Sequence, residues 1–336
     1  MLVLLFSMLV SFVTTFLIVP YFMQFLRAGG IVGIDMHKKN KPKLPTSGGT
    51  CIALGVLAGL LTYIGFTTFL NGAPVDITNL LAVISSILIV MFVGFLDDLN
   101  VKARAVITKE GLKIRIGFPQ WAKPLLTLPA AIPLMVVNAG ETMMDIPFIG
   151  MVDFGILYPL VLIPLGVVFI SNAVNLLGGF NGSESGMGMV YLFGLGIFAL
   201  MNGSIGAAIF LTSFAAVAGF IKYNWFPAKF LSGDSLTYLL GAIVASGIIV
   251  GNMEKVGIIV MIPFILEFFL KMRSKFKASS LGKLRGDGKL DPPYGKKIYS
   301  WTHVIMNIKP LTEKQVTIIL ILIQIVFTII PFLGII

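Results

Sequence analysis

Apolar runs alternate with short polar segments along almost the whole chain. A helix that crosses a bilayer needs about 20 mostly apolar residues. Ten runs approach or reach that length, at 2–26, 48–70, 78–96, 123–138, 154–171, 186–202, 204–221, 236–251, 255–272 and 314–335. The pattern therefore predicts an all-α, polytopic integral membrane protein with about ten transmembrane helices, organised as one transmembrane domain over residues 1–336.

The composition supports a lipid environment. Hydrophobic residues make up 57% of the 336-residue chain and charged residues 12%, with a mean hydropathy of +0.97. Soluble proteins carry about 25% charged residues, so disorder, a coiled coil and a water-soluble enzyme are all excluded. Cys51 is the single cysteine, which rules out an internal disulfide and a cysteine-based metal cluster. The first run has no basic segment before it and no small-residue cleavage site, so we expect a retained helix rather than a cleaved signal.

The few charges predict an orientation. Ten spans place alternate loops on one side, namely 27–47, 97–122, 172–185, 222–235 and 273–313. With their flanking residues, these loops hold 24 of the 25 Lys and Arg residues, and Lys255 falls on the other side. By the positive-inside rule the basic face is cytoplasmic and both termini are extracytoplasmic. The long basic 273–313 loop is large enough for a small cytoplasmic subdomain.

Two polar clusters follow the first and third runs on the predicted cytoplasmic face. A helix is expected to begin after Pro45-Thr46-Ser47-Gly48-Gly49, where the proline makes the backbone rigid and the glycines let a ligand approach it closely. The lysines before this segment suit either an anionic head group or simple membrane anchoring. Asp97 and Asp98 are adjacent carboxylates at a membrane boundary, which are costly unless paired, solvated or bound to a cation. Neighbouring helix positions point in different directions, so one Asp is expected to face a metal or nucleophile while the other orients a helix end or a lysine. The alternative is a helix-terminating turn.

The third cluster extends from Asn172 to Gly182. Asn172 and Asn175 are three residues apart and share a helix face, where an amide oxygen suits a hard cation. The glycines of this loop let the backbone approach a flat ligand, and the loop lacks Lys and Arg. A nucleoside pocket is therefore favoured over a phosphate clamp, with an Asn-rich turn as the alternative.

The fourth cluster ends with Asp234 at the start of the eighth run. A capping Asp at a helix N-terminus is the simpler explanation for this residue alone. However, Asp97, Asp98, Asn175 and Asp234 bring oxygen ligands to one face of the membrane. Such ligands favour Mg²⁺ or Mn²⁺, ions that pair with phosphates. The combination predicts phosphoryl transfer to or from a lipid.

These clusters resemble the motifs of the polyprenyl-phosphate N-acetylhexosamine-1-phosphate transferases, of the glycosyltransferase 4 type. The likeness is greatest to the dolichyl-phosphate GlcNAc-1-phosphate transferases of eukaryotes and archaea. It rests on four strings, which are Pro45-Thr-Ser-Gly-Gly49, Gly94-Phe-Leu-Asp-Asp98, Asn172-Ala-Val-Asn-Leu-Leu-Gly-Gly-Phe-Asn-Gly182, and Tyr223-Asn-Trp-Phe-Pro-Ala-Lys229 with Gly233-Asp234. The resemblance implies ten transmembrane helices and a cytoplasmic active site. It also implies Mg²⁺-dependent transfer of GlcNAc-1-phosphate from UDP-GlcNAc to a polyprenyl or dolichyl phosphate, the first step of lipid-linked glycan assembly.

The resemblance also assigns residues. Asn175 and Asp234 match the metal ligands, and they join the aspartate pair Asp97 and Asp98 as the expected catalytic set. Substrate-binding positions are expected at Thr46, Trp121, Lys123, Asn172, Gly179 and Asn181. Among these, Gly179 and Asn181 match the uridine-binding loop, and Lys123 matches a lysine that contacts the diphosphate, with Trp121 as a nearby tryptophan. The family's histidine- and arginine-rich motif is missing from the last cytoplasmic loop, where the candidate substitutes are Arg273, Lys277, Arg285 and His303.

Two alternatives remain open. One is a bacterial-type enzyme that uses undecaprenyl phosphate and another UDP-sugar. The other is a lipid or solute transporter, which the lack of charges near the span centres disfavours. The expected partners are UDP-GlcNAc, a polyprenyl or dolichyl phosphate and the lipid bilayer, without nucleic acid and with a homodimer left open. The expected location is the cell membrane, an archaeal plasma membrane being favoured and the endoplasmic reticulum membrane applying to a eukaryotic source.

Overall fold

The computed structural model describes residues 1–71, 76–99, 105–107, 113–115, 117–146 and 149–334. Asn100 and much of the 97–122 loop lie outside them. The helices of the described residues are α1 (Leu2–Ala28), α2 (Gly49–Phe66), α3 (Ile77–Leu99), α4 (Ala122–Thr127), α5 (Ile132–Val136), α6 (Ile163–Leu176), α7 (Ser183–Met201), α8 (Gly206–Asn224), α9 (Gly233–Gly251), α10 (Glu254–Val260), α11 (Ile262–Met272), α12 (Trp301–Ile308) and α13 (Glu313–Ile329).

Eight helices in the described part of the chain are long and apolar enough to cross a membrane. They are Leu2–Ala28, Gly49–Leu70, Ile77–Leu99, Tyr158–Leu176, Ser183–Met201, Gly206–Asn224, Gly233–Gly251 and Glu313–Leu333. Each coincides with one of the ten predicted runs. The class of polytopic, predominantly α-helical membrane protein is thereby confirmed, while the number of crossings and their orientation stay predictions.

The other two predicted runs are built from short helices. The run at 123–138 consists of α4 and α5, which are joined by a tighter helical turn at Leu128–Ala131. The run at 255–272 consists of α10 and α11. Pro129 lies in the joining turn, and Pro133 and Pro263 lie at the starts of α5 and α11, where a missing backbone N–H interrupts the helical ladder.

Helix α9 forms the centre of the bundle. Every residue from Ser235 to Val250 is buried, and α2, α3, α6 and α8 pack around this helix. An apolar helix that is hydrophobic on all sides is suited to this central place. The N-terminus of α9 therefore has a position that several other helices fix together.

Small residues allow α1 to pack closely against α2 and α8. Ser11 and Thr15 lie on one face of α1, opposite Gly55 of α2. A Cβ atom at Gly55 would lie 1.9 Å from Thr15 Oγ1, and Ser11 Oγ donates to the carbonyl oxygen of Thr212 on α8 at 2.8 Å. Close backbone approach and interhelical hydrogen bonds of this kind stabilise helix pairs in membranes.

Short antiparallel strands occupy the loops, which the sequence pattern did not predict because strands of two to four residues carry no readable period. The pairs are β1 (Val32–Ile34) with β2 (Lys43–Pro45), β3 (Ala105–Ile107) with β4 (Lys113–Arg115), and β5 (Met143–Ile146) with β6 (Gly150–Asp153). A three-stranded sheet follows in the order β7 (Lys283–Leu284), β8 (Lys289–Asp291) and β9 (Leu311–Thr312). In its register Lys283 faces Asp291, and Leu290 faces Leu311.

The 273–313 loop packs on α11 through buried polar contacts. Glu267 Oε2 accepts the backbone N–H of Trp301 at 2.8 Å. Lys271 Nζ donates to the carbonyl oxygen of Ala278 at 2.8 Å and to Ser280 Oγ at 2.7 Å. Because these groups are buried, the contacts hold the loop firmly against the helix bundle. Its status as a separate subdomain stays a prediction.

Candidate active site

Asp98 caps the N-terminus of the central helix. Its Oδ1 accepts the backbone N–H of Asp234 at 2.9 Å and its Oδ2 accepts that of Ser235 at 3.0 Å. The side chain of Asp98 is fully buried. A carboxylate at a helix N-terminus satisfies free N–H groups and is favoured by the helix dipole. Asp98 thus fixes the backbone that carries Asp234.

Asp97 turns the other way, toward Lys123 on α4. Lys123 Nζ lies 2.9 Å from Asp97 Oδ2 and 3.1 Å from Asp234 Oδ2, so one ammonium group bridges carboxylates from α3 and α9. Asp97 Oδ1 also accepts the backbone N–H of Phe118 at 2.5 Å. Asp97 is fully buried, whereas the Asp234 side chain is 30% exposed, so the group opens to solvent on the Asp234 side.

Three glycines allow the elements around Asp234 to meet. A Cβ atom at Gly94 of α3 would lie 2.6 Å from the carbonyl oxygen of Asp234, and one at Gly49 of α2 would lie 2.3 Å from the backbone of Ser235. Gly233 has a φ of +71° and lies against the Asp98 carboxylate. Only glycine combines this backbone conformation with such close packing.

The Pro45–Gly49 segment supports the same helix end. Ser47 Oγ donates to Ser235 Oγ at 2.9 Å. Thr46 is 2% exposed, and its backbone N–H donates to Ile31 at 3.3 Å beside β1. The structure therefore places Thr46 in the packed support of the site and away from its open side. Its assignment as a ligand contact stays a prediction.

The two asparagines of α6 reach different neighbours. Asn175 Nδ2 donates to Thr237 Oγ1 at 2.9 Å, and Thr237 Oγ1 donates to the carbonyl oxygen of Asp234 at 3.1 Å. Asn175 thus lies beside the first turn of α9. Asn172 Nδ2 donates to Thr127 Oγ1 at 3.0 Å, which ties α6 to the helix that carries Lys123.

The glycine loop between α6 and α7 is held by three buried carboxylates. Gly179 has a φ of +100° and donates its N–H to Glu184 Oε1 at 2.7 Å. Asn181 donates its N–H to Glu313 Oε1 at 2.9 Å and its side-chain amide to Asp35 Oδ2 at 2.9 Å. Gly179 is exposed and Asn181 is buried. The backbone of the loop is therefore open to a ligand at Gly179.

The sequence profile of glycosyl transferase family 4 matches residues 80–252 of the chain. The chain belongs to glycosyl transferase family 4. A Sulfolobus acidocaldarius protein is 32% identical over 326 residues, which cover 96% of this chain and 93% of that protein. It is provisionally named a UDP-N-acetylglucosamine–dolichyl-phosphate N-acetylglucosaminephosphotransferase. The Dictyostelium discoideum protein of the same name is 26% identical and covers 92% of this chain and 83% of its own length.

A bacterial member is also similar. The phospho-N-acetylmuramoyl-pentapeptide-transferase of Streptococcus mutans is 31% identical over 77% of this chain and 76% of its own length. The family 4 match confirms the resemblance in the sequence motifs and makes the chain a transferase. The matched range contains Asp97, Asp98, Lys123, Asn175 and Asp234, which the structure brings to the start of α9.

Two site carboxylates, Glu184 and Glu313, were missed in the sequence. The predicted spans began at 186 and 314, which left both glutamates just outside them. The structure shows each in the first turn of an otherwise apolar helix, α7 and α13. An acidic residue in that position, on the basic side of a family 4 transferase, is the signal that would have identified them.

Two candidate substitutes for the missing histidine- and arginine-rich motif, Arg285 and His303, pair within the 273–313 loop. His303 is fully buried, its Nε2 pairs with the carbonyl oxygen of Ser279 at 3.0 Å, and its Nδ1 accepts the N–H of Tyr299 at 3.1 Å. Burial lowers the pKa of His303 to about 4, so the ring is neutral at pH 7. Arg285 pairs with Asp287 and Asp291 on the β7–β8 hairpin. Arg273, Lys277 and Trp121 are exposed, and the predicted role of Trp121 stays a prediction.

The donor set at the start of α9 fits a hard divalent cation. Within the described ranges, no three His, Cys, Asp or Glu groups converge on a metal position. The oxygen donors near Asp234 are its carboxylate, the amide oxygen of Asn175 and the hydroxyl of Thr237. Mg²⁺ commonly takes one or two carboxylates from a protein and completes its shell with water and substrate phosphates. The residues present therefore suit Mg²⁺ bound together with a diphosphate.

Proposed function

We propose that the chain transfers GlcNAc-1-phosphate from UDP-GlcNAc to a dolichyl or related polyprenyl phosphate, giving lipid-diphospho-GlcNAc and UMP. The observation that supports this most is the Lys123 ammonium held between Asp97 and Asp234 at the ends of three helices. The archaeal and Dictyostelium relatives are named for this reaction. Two carboxylates and one ammonium leave the group formally negative, and a divalent cation on Asp234 would reverse this charge and suit the site to an anionic donor and a lipid phosphate.

The residues of the site match the demands of the reaction. An oxygen of the lipid phosphate attacks the β-phosphorus of UDP-GlcNAc, and the bond to UMP breaks with its electron pair leaving on UMP. Phosphate monoesters have a second pKa of about 6, so the attacking oxygen is already ionised at pH 7 and needs no strong base. Asp97 then acts by holding Lys123, whose charge offsets that of the diphosphate.

The proposal includes Mg²⁺, with Mn²⁺ as its substitute, held by Asp234 and Asn175. When bound, the cation neutralises charge on the diphosphate and on the departing UMP. The chain prepares these two ligands in advance. Asp98 fixes the backbone of Asp234, and Thr237 orients the amide of Asn175. Prior orientation of ligands lowers the cost of binding the diphosphate.

An apolar cavity supports a lipid acceptor. It has a volume of roughly 240 Å³ and lies between α6, α9 and the α10–α11 pair, lined by residues that include Ile170, Ala173, Ala245 and Phe264. Ala173 lies two residues before Asn175, and Ile258, another lining residue, is exposed at the bundle surface. An isoprenoid chain in this cavity would extend from Ala173, two residues before Asn175, to Met144 and Glu254 at the opposite end of the bundle.

The test is a reconstituted transfer reaction. Purified protein receives labelled UDP-GlcNAc, polyprenyl phosphate and Mg²⁺, and the products are identified by mass spectrometry. We expect UMP and lipid-diphospho-GlcNAc, and a loss of at least about 100-fold in kcat/KM for Asp234→Ala and Asn175→Ala. Asp287→Ala, which changes an exposed acid on a hairpin, is the control and should retain full activity. Unchanged activity in both site variants would contradict the metal assignment, and no product from the wild type would contradict the proposed substrates.

A second candidate keeps the chemistry and changes the substrates. The likeness to the phospho-N-acetylmuramoyl-pentapeptide-transferase of Streptococcus mutans supports the alternative of a bacterial-type enzyme that uses undecaprenyl phosphate and another UDP-sugar, although that relative covers less of the chain than the archaeal one. A panel of UDP-sugars, each with dolichyl and undecaprenyl phosphate, separates the two by product mass.

Membership of a transferase family rules out the alternative of a lipid or solute transporter. We propose the plasma membrane of an archaeal cell as the location, in keeping with the organism of the first relative.

A further inference from the structure

A buried polar network lies beneath the glycine loop, outside the Asp97–Lys123–Asp234 group. Its members are Asp35, His37, Lys38, Asn181 and Glu313, which we call the loop network. Four of them are buried and Lys38 is 21% exposed. The network joins segments that are distant in sequence, because its residues come from the β1–β2 hairpin, the glycine loop and the start of α13.

Glu313 is the hub of this network. Its Oε1 accepts the backbone N–H of Asn181 at 2.9 Å and lies 3.4 Å from His37 Nδ1. Its Oε2 pairs with the ammonium group of Lys38. Glu313 is 3% exposed. Burying a carboxylate this deeply destabilises the fold unless several hydrogen-bond donors and a cation surround it.

Other members of the network also hold Asn181 and its neighbours. Asp35 Oδ2 accepts the side-chain amide of Asn181 at 2.9 Å, and Lys38 lies 3.4 Å from the same oxygen. Thr317, one turn along α13, donates to the carbonyl oxygen of Asn181 at 3.2 Å. The backbone N–H, the carbonyl oxygen and the side chain of Asn181 are thus all bound by the protein itself.

His37 connects this network to the 273–313 loop. Its Nε2 accepts the backbone N–H of Gly282 at 3.1 Å, which places the ring proton on Nδ1, toward Glu313. The ring lies 4.5 Å from that of Phe180, the residue between Gly179 and Asn181. The glycine loop therefore contacts α13 through Glu313 and is linked to the 273–313 loop through His37, while Gly179 stays exposed.

We propose that Glu313 is a positioning residue of the donor site, which fixes the glycine loop in the shape that accepts the nucleotide of the sugar donor. The inference rests on the proposed function, because it takes the loop to receive a nucleoside diphosphate. Glu313 acts through Asn181, and the Lys123 bridge is built from α3, α4 and α9. Loss of Glu313 should therefore weaken donor binding and leave the chemical step largely intact.

The test is Glu313→Gln, which keeps the size of the side chain and removes the charge that pairs with Lys38. We expect the KM for UDP-GlcNAc and the Kd for UMP to rise about tenfold, since charge-assisted hydrogen bonds of this kind are among the stronger ones. We expect kcat and the KM for polyprenyl phosphate to stay within about twofold. UMP binding is measured by calorimetry on the purified full chain, so it needs no turnover. Glu313→Asp, which restores the charge, should recover part of the affinity.

The control is Glu254→Gln. Glu254 accepts a hydrogen bond from the hydroxyl of Tyr158 at 2.5 Å and lies outside both the loop network and the 273–313 loop. This variant should leave the Kd for UMP unchanged, whatever its effect on the melting temperature. Asp35→Asn, which weakens the hold on the Asn181 side chain, serves as a second probe if Glu313→Gln does not fold, and it should show the same donor-selective loss.

Three results would overturn the proposal. One is a folded Glu313→Gln variant that binds UMP with wild-type affinity. The second is an equal loss of UMP affinity in Glu254→Gln, which would indicate general destabilisation. The third is a loss confined to kcat in Asp35→Asn. The proposed function fails differently, because there the wild type would bind UMP and give no lipid-linked product.

Discussion

Two neighbouring aspartates have different structural tasks. Asp98 accepts two backbone N–H groups at the start of α9, and Asp97 pairs with Lys123. The different directions of adjacent helix positions separate these tasks. Lys123 keeps Asp234 as a partner when Asp97 is changed, whereas the N–H groups of Asp234 and Ser235 depend on Asp98. Stability and activity should therefore respond differently at the two positions.

We expect Asp98→Asn to lower both the stability of the protein and its turnover. Asparagine offers one acceptor oxygen in place of two, and its amide N–H₂ would face a backbone N–H. The free energy of unfolding should fall by about 2 kcal/mol, and kcat should fall at least about tenfold because Asp234 moves with the helix end. Asp97→Asn should lower kcat with a much smaller change in melting temperature.

Thermal unfolding in detergent, measured together with turnover, separates these effects. Equal melting temperatures for Asp98→Asn and the wild type would contradict the capping role. A fall in melting temperature for Asp97→Asn as large as that for Asp98→Asn would contradict the division of tasks between the two residues.

The sequence identified most residues of the site, and the structure identified their partners. Asp97, Asp98, Lys123, Asn175 and Asp234 belong to motifs that stand out from their apolar surroundings. The partners of Asn172 and Asn181 could not be predicted in this way. Thr127 and Glu313 lie 45 and 132 residues away from them in the chain, and only the packing of helices brings each pair together.

At the scale of elements, close contacts between helices determine the geometry of the site. Helix α3 reaches the start of α9 because Gly94 lacks a side chain where the carbonyl group of Asp234 passes. The obstacle that a new side chain would meet there is backbone, which cannot rotate away as a flexible side chain would. The separation of α3 and α9 is therefore set by this glycine.

We expect Gly94→Ala to separate α3 from α9 and displace Asp234. The new Cβ atom would lie 2.6 Å from the carbonyl oxygen of Asp234, so one backbone must shift. Overpacking of this kind costs about 1–3 kcal/mol of stability, and the displacement should lower kcat more than tenfold, a rough figure for a shift near 1 Å. Melting temperature and turnover are measured on the purified variant.

Gly65→Ala is the matched control for this prediction. Gly65 lies near the end of α2, and a Cβ atom there meets nothing within 4 Å. Alanine is favoured over glycine in a helix by about 1 kcal/mol, so this variant should be as stable as the wild type or more stable. Full activity in Gly94→Ala would show that α3 and α9 tolerate a wider spacing.

The long helices were predictable because each is a continuous apolar run, and the shorter elements were not. The predicted runs at 123–138 and 255–272 are built from pairs of short helices, with prolines at their joints. The hairpins of the loops depend on pairing between strands of a few residues, such as Val32 with Pro45. Hydrophobic periodicity carries no information about elements of this length.

For the whole molecule, the cations and the candidate site lie at the same end of the bundle. The helix ends that carry Asp97, Lys123 and Asp234 flank loops that contain Lys and Arg, and Asn175 lies beside the first turn of α9. At the opposite end, Lys255 pairs with Asp145 beside the β5–β6 hairpin. The distribution of charge therefore predicts both the orientation and the compartment from which the sugar donor arrives.

Cysteine labelling tests this orientation. Cys51 is the single native cysteine and is fully buried, so a maleimide should not reach it in the folded protein. Cysteines are introduced singly at exposed positions, with Glu141→Cys and Asn202→Cys at the predicted outer end and Lys39→Cys and Lys296→Cys at the predicted cytoplasmic end. A membrane-impermeant maleimide on intact cells should label the first two. It should label the last two only after the membrane is permeabilised, because the basic loops face the cytoplasm. The reverse pattern would place the Asp97–Lys123–Asp234 group on the outer surface, where a cytoplasmic sugar nucleotide would not meet it.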